Sequence, residues 1–167
     1  CIKKVLNRPT PKALLKSILR CKGCDSGMIS TYTRRKGKEY RYYIPNAVVR
    51  KACVSCPLGN IPAGEIESVV FNQCQAIFKS PEMMAQVCKQ VHDKNKTVSE
   101  SEIIDSFKNI GMIWDELYSY EQEKIIRYLI KKVNVSEKGI DLEINVEGID
   151  SLINYSQAQQ TKTVWVA

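Results

Sequence analysis

The chain has 167 residues, of which 44% are apolar and 26% charged, the mixture of a folded protein rather than a disordered one. No apolar run approaches the roughly 18 to 20 residues that a helical membrane span requires, so the expectation is a soluble chain, one domain or two small ones. The net charge of +7 is unevenly spread: residues 1–60 carry 14 Lys and Arg against two acids, Asp25 and Glu39, whereas the remainder holds 11 basic and 16 acidic residues. The basic end is thus the candidate surface for a polyanion, and the acidic end reads as a solvated scaffold.

In chain order, residues 1–13 are basic and contain Pro9 and Pro11, which forbid a continuous helix. With no initiator Met before Cys1, this stretch reads as a linker, or the tail of something upstream. Leu14, Leu15, Ile18 and Leu19 form an apolar cluster expected to pack against a later helix.

The stretch from Cys21 to Cys56 organises the rest. It opens with Cys21-Lys22-Gly23-Cys24 and closes with Cys53-Val54-Ser55-Cys56. Each Cys-x-x-Cys is the shortest spacing at which two thiolates of one tight turn converge on a metal ion, and four thiolates make a closed tetrahedral site of the structural zinc type. Zn2+ is therefore the expected cofactor, on Cys21, Cys24, Cys53 and Cys56. A pair of disulfides is the competing reading, but it needs an oxidising compartment. Nothing at the N-terminus resembles a signal peptide, which points to the cytoplasm. The 28 residues between the pairs read as a basic, aromatic β-hairpin: Met28 to Arg35, a Lys36-Gly37-Lys38 turn, then Glu39 to Ile44. Two knuckles joined by a hairpin describe a zinc ribbon. A two-stranded hairpin is marginal alone, and metal binding supplies the missing stability.

Such a ribbon fits the major groove of duplex DNA. Arg34, Arg35, Lys36, Lys38 and Arg41 surround the hairpin turn, and Arg20, Lys22, Arg50 and Lys51 flank the knuckles, so these nine are the candidate DNA contacts, mostly to phosphates.

After Cys56 the pattern turns helical. Pro62 is a suitable first helical residue, with Ile66, Val69, Val70, Ile77 and Phe78 on one face. Ser80 before Pro81 predicts a second helix through Met83, Met84, Val87, Cys88 and Val91, ending near Asn95. Cys74 and Cys88 read as core, and His92, the one histidine, as neither ligand nor base. Ser99 to Glu102 is a capping box for a short helix through Phe107. Ser119 to Gln122 repeats the device for a helix with Ile125, Ile126, Leu129, Ile130 and Val133 on one face, its entry anchored by Trp114 and Leu117. Val133 to Val135, a Glu137-Lys138-Gly139 turn and Ile140 to Val146 predict a second hairpin. Beyond Asp150 the pattern weakens; Ser156 to Lys162 reads as frayed, and Thr163 to Val166 as a last short strand.

The expected fold class is α+β: a zinc β-ribbon over residues 14–61, a helical segment over 62–132 with room for a short coiled coil, a second hairpin over 133–148 packed on both, and a tail over 149–167. No nucleophile has a base in reach and no Gly-rich phosphate loop is present, so the chain reads as non-catalytic. A zinc-ribbon adaptor that binds protein is the alternative function, and a metal-free remnant of a mobile element a second one.

Residues 14–148 resemble the C-terminal half of the large serine recombinases, the phage- and transposon-type integrases and excision enzymes. The resemblance is carried by Leu14-Leu15-Lys16-Ser17-Ile18-Leu19-Arg20-Cys21-Lys22-Gly23-Cys24, Gly27-Met28, Tyr40-Arg41-Tyr42-Tyr43, Cys56-Pro57, Ile61-Pro62-Ala63 and Glu65-Ile66-Glu67. It continues through Trp114-Asp115-Glu116-Leu117, Glu121-Gln122, Ile126-Arg127-Tyr128-Leu129-Ile130 and Val133-Asn134-Val135. It implies a recombinase zinc β-ribbon that binds the outer part of an attachment-site half-site during DNA integration or excision. A coiled-coil insertion would contact other recombinase subunits in synapsis, and the catalytic serine domain would lie upstream, without counterpart here. The location implied is the cytoplasm of a bacterial or phage-type system, at the nucleoid. In many relatives the third ligand stands where this chain has Ile44, and Cys53 is its natural substitute.

Overall fold

The computed structural model describes residues 13–51 and 56–164, the last three by their backbone alone. Residues 1–12, Cys53 with its neighbours, and Trp165 and Val166 lie outside it, so the expectations placed on them meet no structure here.

Strand β1 (Leu19–Cys21) runs into the first cysteine turn. β2 (Ser26–Arg35) and β3 (Lys38–Pro45) form the expected hairpin, paired from Met28↔Pro45 to Arg35↔Lys38. That register leaves Lys36 and Gly37 as a two-residue loop with φ of 48° and 77°, the conformation whose twist matches a hairpin and which glycine adopts at no steric cost. A short helix α1 (Asn46–Val49) follows, then β4 (Ile61–Pro62) on the outer edge of β3. At the other end β5 (Ile130–Ser136) and β6 (Gly139–Ile144) make the second hairpin. All six strands form one sheet, in the order β4-β3-β2-β1-β5-β6. Its only parallel pair among the described residues is β1 with β5, in the register Leu19↔Val133 and Cys21↔Val135.

Because strand side chains alternate with period two, the register assigns each residue a face. Leu19, Cys21, Met28, Tyr43, Val133 and Val135 share one face and are all buried. α2 (Ala63–Lys79) and α5 (Ser119–Leu129) pack against the sheet, and α3 (Pro81–Lys94), α4 (Glu100–Ile113) and α6 (Ile149–Val164) pack on them and on one another. The buried apolar residues form one continuous cluster from Leu15 and Leu19 through Phe78, Phe107 and Trp114 to Leu152. Trp114, in a 3-10 turn (Trp114–Glu116), packs 5.3 Å from both Phe71 and Phe78 and anchors the entry to α5 as expected. α2 and α4 cross so closely that a Cβ on Gly111 would stand 2.6 Å from the Phe78 carbonyl oxygen.

Several boundaries differ from expectation. Pro62 is not the first helical residue: it pairs with Tyr42 in β4, and α2 begins at Ala63. Val69 is 43% exposed, and Cys74 takes its place on the buried stripe. The helix capped by Ser99 runs to Ile113, its capping box formed with Glu102 as read. At α5 the cap moves back one residue, since Glu121 accepts the backbone N–H of Tyr118 at 3.1 Å and Ser119 is already helical. That helix stops at Leu129, so Ile130 and Val133 are strand residues, and β6 ends at Ile144, two residues before Val146. The largest correction is the tail. Residues 149–164 are neither frayed nor a strand but a helix that buries Ile149, Leu152, Ile153 and Ser156, a spacing of three and four that Gln and Ser on the other positions disguised. The helices fold back on one another: α2, with 17 residues, is the longest described, and α3 turns away at Ser80-Pro81, so no extended coiled-coil arm is formed by the described residues. None of these helices is long and apolar enough to cross a membrane.

Candidate metal centre and nucleic-acid interface

Cys21 ends β1 with its side chain on the buried face, and Cys24 follows in a tight turn that Asp25, at φ 47°, reverses into β2. The chain returns at Cys56, beside that turn. Cys21, Cys24 and Cys56 bring their sulfurs within 4.8 Å of one another, and the Cys21 and Cys56 sulfurs are 3.5 Å apart. A disulfide bond is about 2.05 Å long, so these are thiols. Four thiolates held at about 2.3 Å from a zinc ion stand roughly 3.8 Å apart, close to the spacing seen. The backbone N–H of Cys24 donates to the Cys21 sulfur at 3.5 Å. Burial pushes the Cys56 thiol up, but hydrogen bonds from the Cys24 side chain, the Leu58 backbone, the Cys21 side chain and the Gly59 backbone outweigh it, and the thiol lies below its ordinary value. A low thiol pKa and an all-sulfur donor set suit a structural zinc ion. Three of the four expected ligands are thus brought together; the fourth, Cys53, lies outside the described residues.

Cys74 and Cys88 are buried in α2 and α3, as their helical setting predicts. Burial alone raises the Cys74 thiol to about 12. Burial, with Glu100 nearby, raises Cys88 as well. His92 has a buried Nδ1 without a hydrogen-bond partner among the described residues.

The nine expected cations fall into three groups. Arg20 pairs with Asp25 at 3.3 Å, Lys22 with Asp141 at 3.1 Å and Arg34 with Glu39 at 3.4 Å. These pairs are solvent-exposed and hold each side chain by no more than about 1 kcal/mol. Arg35, Lys36, Lys38, Arg50 and Lys51 are exposed and make no ion pair among the described residues.

Arg41 differs from both groups. It is half-buried and grips both oxygens of Glu67, at 3.4 and 3.1 Å. Glu67 also accepts from the Tyr43 hydroxyl at 2.7 Å and from the Leu14 backbone N–H at 3.2 Å, while the Tyr43 oxygen accepts from the Leu15 N–H at 3.1 Å. One carboxylate therefore ties β3, α2 and the chain entering β1 together. Burial and the Glu67 hydrogen bond raise the Tyr43 hydroxyl well above the usual tyrosine range. From α5, Arg127 adds contacts to the Ala13 and Lys16 carbonyls, both at 3.5 Å. Glu67, expected only as part of the Glu65-Ile66-Glu67 motif, carries a further signal in the sequence: with Ala63, Val70 and Cys74 it falls on the apolar stripe of α2, where a carboxylate requires a partner.

Residues 14–75 match the family model described as the recombinase zinc beta ribbon domain, a ribbon rather than a catalytic domain. No curated protein matches the chain. Among solved structures, the chain is similar to one from the crystal structure of an LSR–DNA complex, at 17% identity and a TM-score of 0.48, over 79% of this chain and 55% of that one. It is also similar to one solved for the sequence requirements of the Listeria innocua prophage attP site, at 15% identity and a TM-score of 0.46, over 81% of this chain and 45% of that one. The chain thus spans about half the length of the solved structures it matches. The matched segment, residues 14–75, is the one that carries the three converging thiols and the basic hairpin.

Proposed function

We propose that this chain is the duplex-DNA-binding, C-terminal portion of a large serine recombinase, in which a zinc ion on Cys21, Cys24, Cys53 and Cys56 clips the root of the hairpin and its cations meet attachment-site DNA. The observation that carries this reading is the convergence of three thiols at the base of a basic hairpin, within the segment that matches the recombinase ribbon. When bound, the ion supplies rigidity rather than reactivity, since a site closed by four thiolates has no open position. Residues 14–61 are then the metal-clipped unit. The helical region offers surfaces to other subunits, strand cleavage belongs to a serine domain elsewhere in the longer protein, and the setting is the DNA-bearing cytoplasm.

Fluorescence anisotropy of a labelled duplex at several salt concentrations tests the reading, with native mass spectrometry for bound metal. Stoichiometric zinc and micromolar or tighter binding that weakens steeply with salt are expected. A chain that holds zinc but ignores duplex DNA at low salt is a protein adaptor instead, and a chain without metal is a degenerate remnant.

A further inference from the structure

The hairpin has two faces, and their charges are used differently. On the face that continues the buried side of the sheet, the cross-strand pairs are Ser30↔Tyr43, Tyr32↔Arg41 and Arg34↔Glu39. Every cation there is engaged within the protein: Arg41 with Glu67, and Arg34 with Glu39 while its guanidinium lies 5.7 Å from the centre of the Tyr32 ring. The opposite face carries Thr31↔Tyr42, Thr33↔Tyr40 and Arg35↔Lys38. On it Thr33 and Tyr40 are exposed, Tyr40 by 44%, and neither Arg35 nor Lys38 has an ion-pair partner among the described residues.

Arg35 and Lys38 are moreover direct cross-strand neighbours, with Lys36 between them in the turn. Like charges placed opposite one another destabilise a strand pair, and every residue from Tyr32 to Tyr40 is exposed, so no buried contact among the described residues offsets the cost. A polyanion laid across the tip would resolve such a local conflict. Behind the tip, Thr31, Thr33, Tyr40 and Tyr42 present methyl, hydroxyl and ring edges, the groups that touch thymine methyls and base-edge acceptors in a groove. From Ile29 to Arg35 the arm is about 20 Å long at strand rise, enough to cross a major groove roughly 12 Å wide.

We infer that the ribbon reads duplex DNA with its outer face, where Arg35, Lys36 and Lys38 take phosphates and Thr31, Thr33, Tyr40 and Tyr42 lie against the bases, while the inner face of Arg34 and Arg41 holds the arm's shape. This rests on the duplex-binding function proposed above and divides the cations that function needs into contacting and supporting sets.

The test compares neutral substitutions of matched exposure on the two faces, in the zinc-loaded chain. Tyr40→Ala, on the outer face, is expected to weaken duplex binding roughly tenfold. Tyr32→Ala, 53% exposed on the inner face, should change it less than about threefold. The double variant Arg35→Ala/Lys38→Ala should lower the salt slope by about 2, since each lost phosphate contact removes about 0.9. Lys89→Ala/Lys94→Ala on α3 removes the same charge and should leave the slope nearly unchanged. Circular dichroism and metal content guard against misfolding. If wild type binds duplex DNA and Tyr32→Ala costs more than Tyr40→Ala, or the α3 pair matters as much as the tip, the face assignment is overturned and DNA binding stands. If wild type binds no duplex, both fall together.

Discussion

Between Ile29 and Tyr42 the hairpin arm buries not one side chain, whereas α4, also 14 residues long, buries Ile103, Phe107 and Ile110 completely. The arm is organised by its register, by a two-residue turn and by thiols at its root. The helix is organised by apolar surface, for which about 25 cal/mol per Å2 is the scale. Exposure is what a contact surface requires, and it leaves the ribbon dependent on something other than a core. The contrast has a chemical side as well: thiols that must lose protons to hold a metal stand at the root of the arm, while a thiol that must keep its proton, Cys74, stands in the core.

Substitution at the root should separate the two regions most sharply. If the proposed zinc ion is bound there, Cys21→Ser removes a ligand from a site whose metal would contribute on the order of 10 kcal/mol or more to its own domain. The expected result is loss of bound zinc by native mass spectrometry and loss of hydrogen-exchange protection along β2 and β3, with helical circular dichroism largely kept. Retained stoichiometric metal would break the comparison at its base. The converse variant, Phe107→Ala, should lower unfolding free energy by about 3–5 kcal/mol in urea titration while the zinc content stays unchanged.

Alkali should act on the core side. The unfolded chain releases the Cys74 proton near 9.0, the folded one only near 12. The favourable contribution of the neutral thiol is therefore complete below pH 9 and lost as pH climbs from 9 towards 12. Urea midpoints should fall across that window, and less so in Cys74→Ala; equal slopes in both would remove Cys74 from the account. A smaller effect is expected at the joint between the regions. Glu67→Ala leaves Arg41 half-buried without its carboxylate and should cost roughly 2 kcal/mol, with reduced protection at Leu14 and Leu15, whose N–H groups belong to that network.

The same contrast decides what the sequence makes legible. The hairpin arm was read to within a residue or two because Lys36-Gly37 and the alternation on either side are local signals, and the Cys-x-x-Cys of the first knuckle is a local spacing. Ser99 with Glu102 and Ser80 with Pro81 gave helix starts for the same reason. What escaped was non-local. β1 is only three residues long and is held between β2 and, from far along the chain, β5; Glu67 is a keystone because Arg41 and Tyr43 come to it; α6 is a helix because α4 and α5 offer it a surface. In each case tertiary partners, not intrinsic propensity, settle the conformation.

The parallel pairing of β1 with β5 sets an order of assembly. Val133 donates to the Ile18 carbonyl at 2.8 Å and Lys22 to that of Val135 at 2.9 Å, so the turn bearing Cys21 and Cys24 is propped by backbone made more than 110 residues later. A nascent chain that has reached only residue 75 can gather its cysteines but has no rail on which to align them. On a ribosome adding about 5–20 residues per second, the platform beneath the knuckle waits several seconds for its second strand.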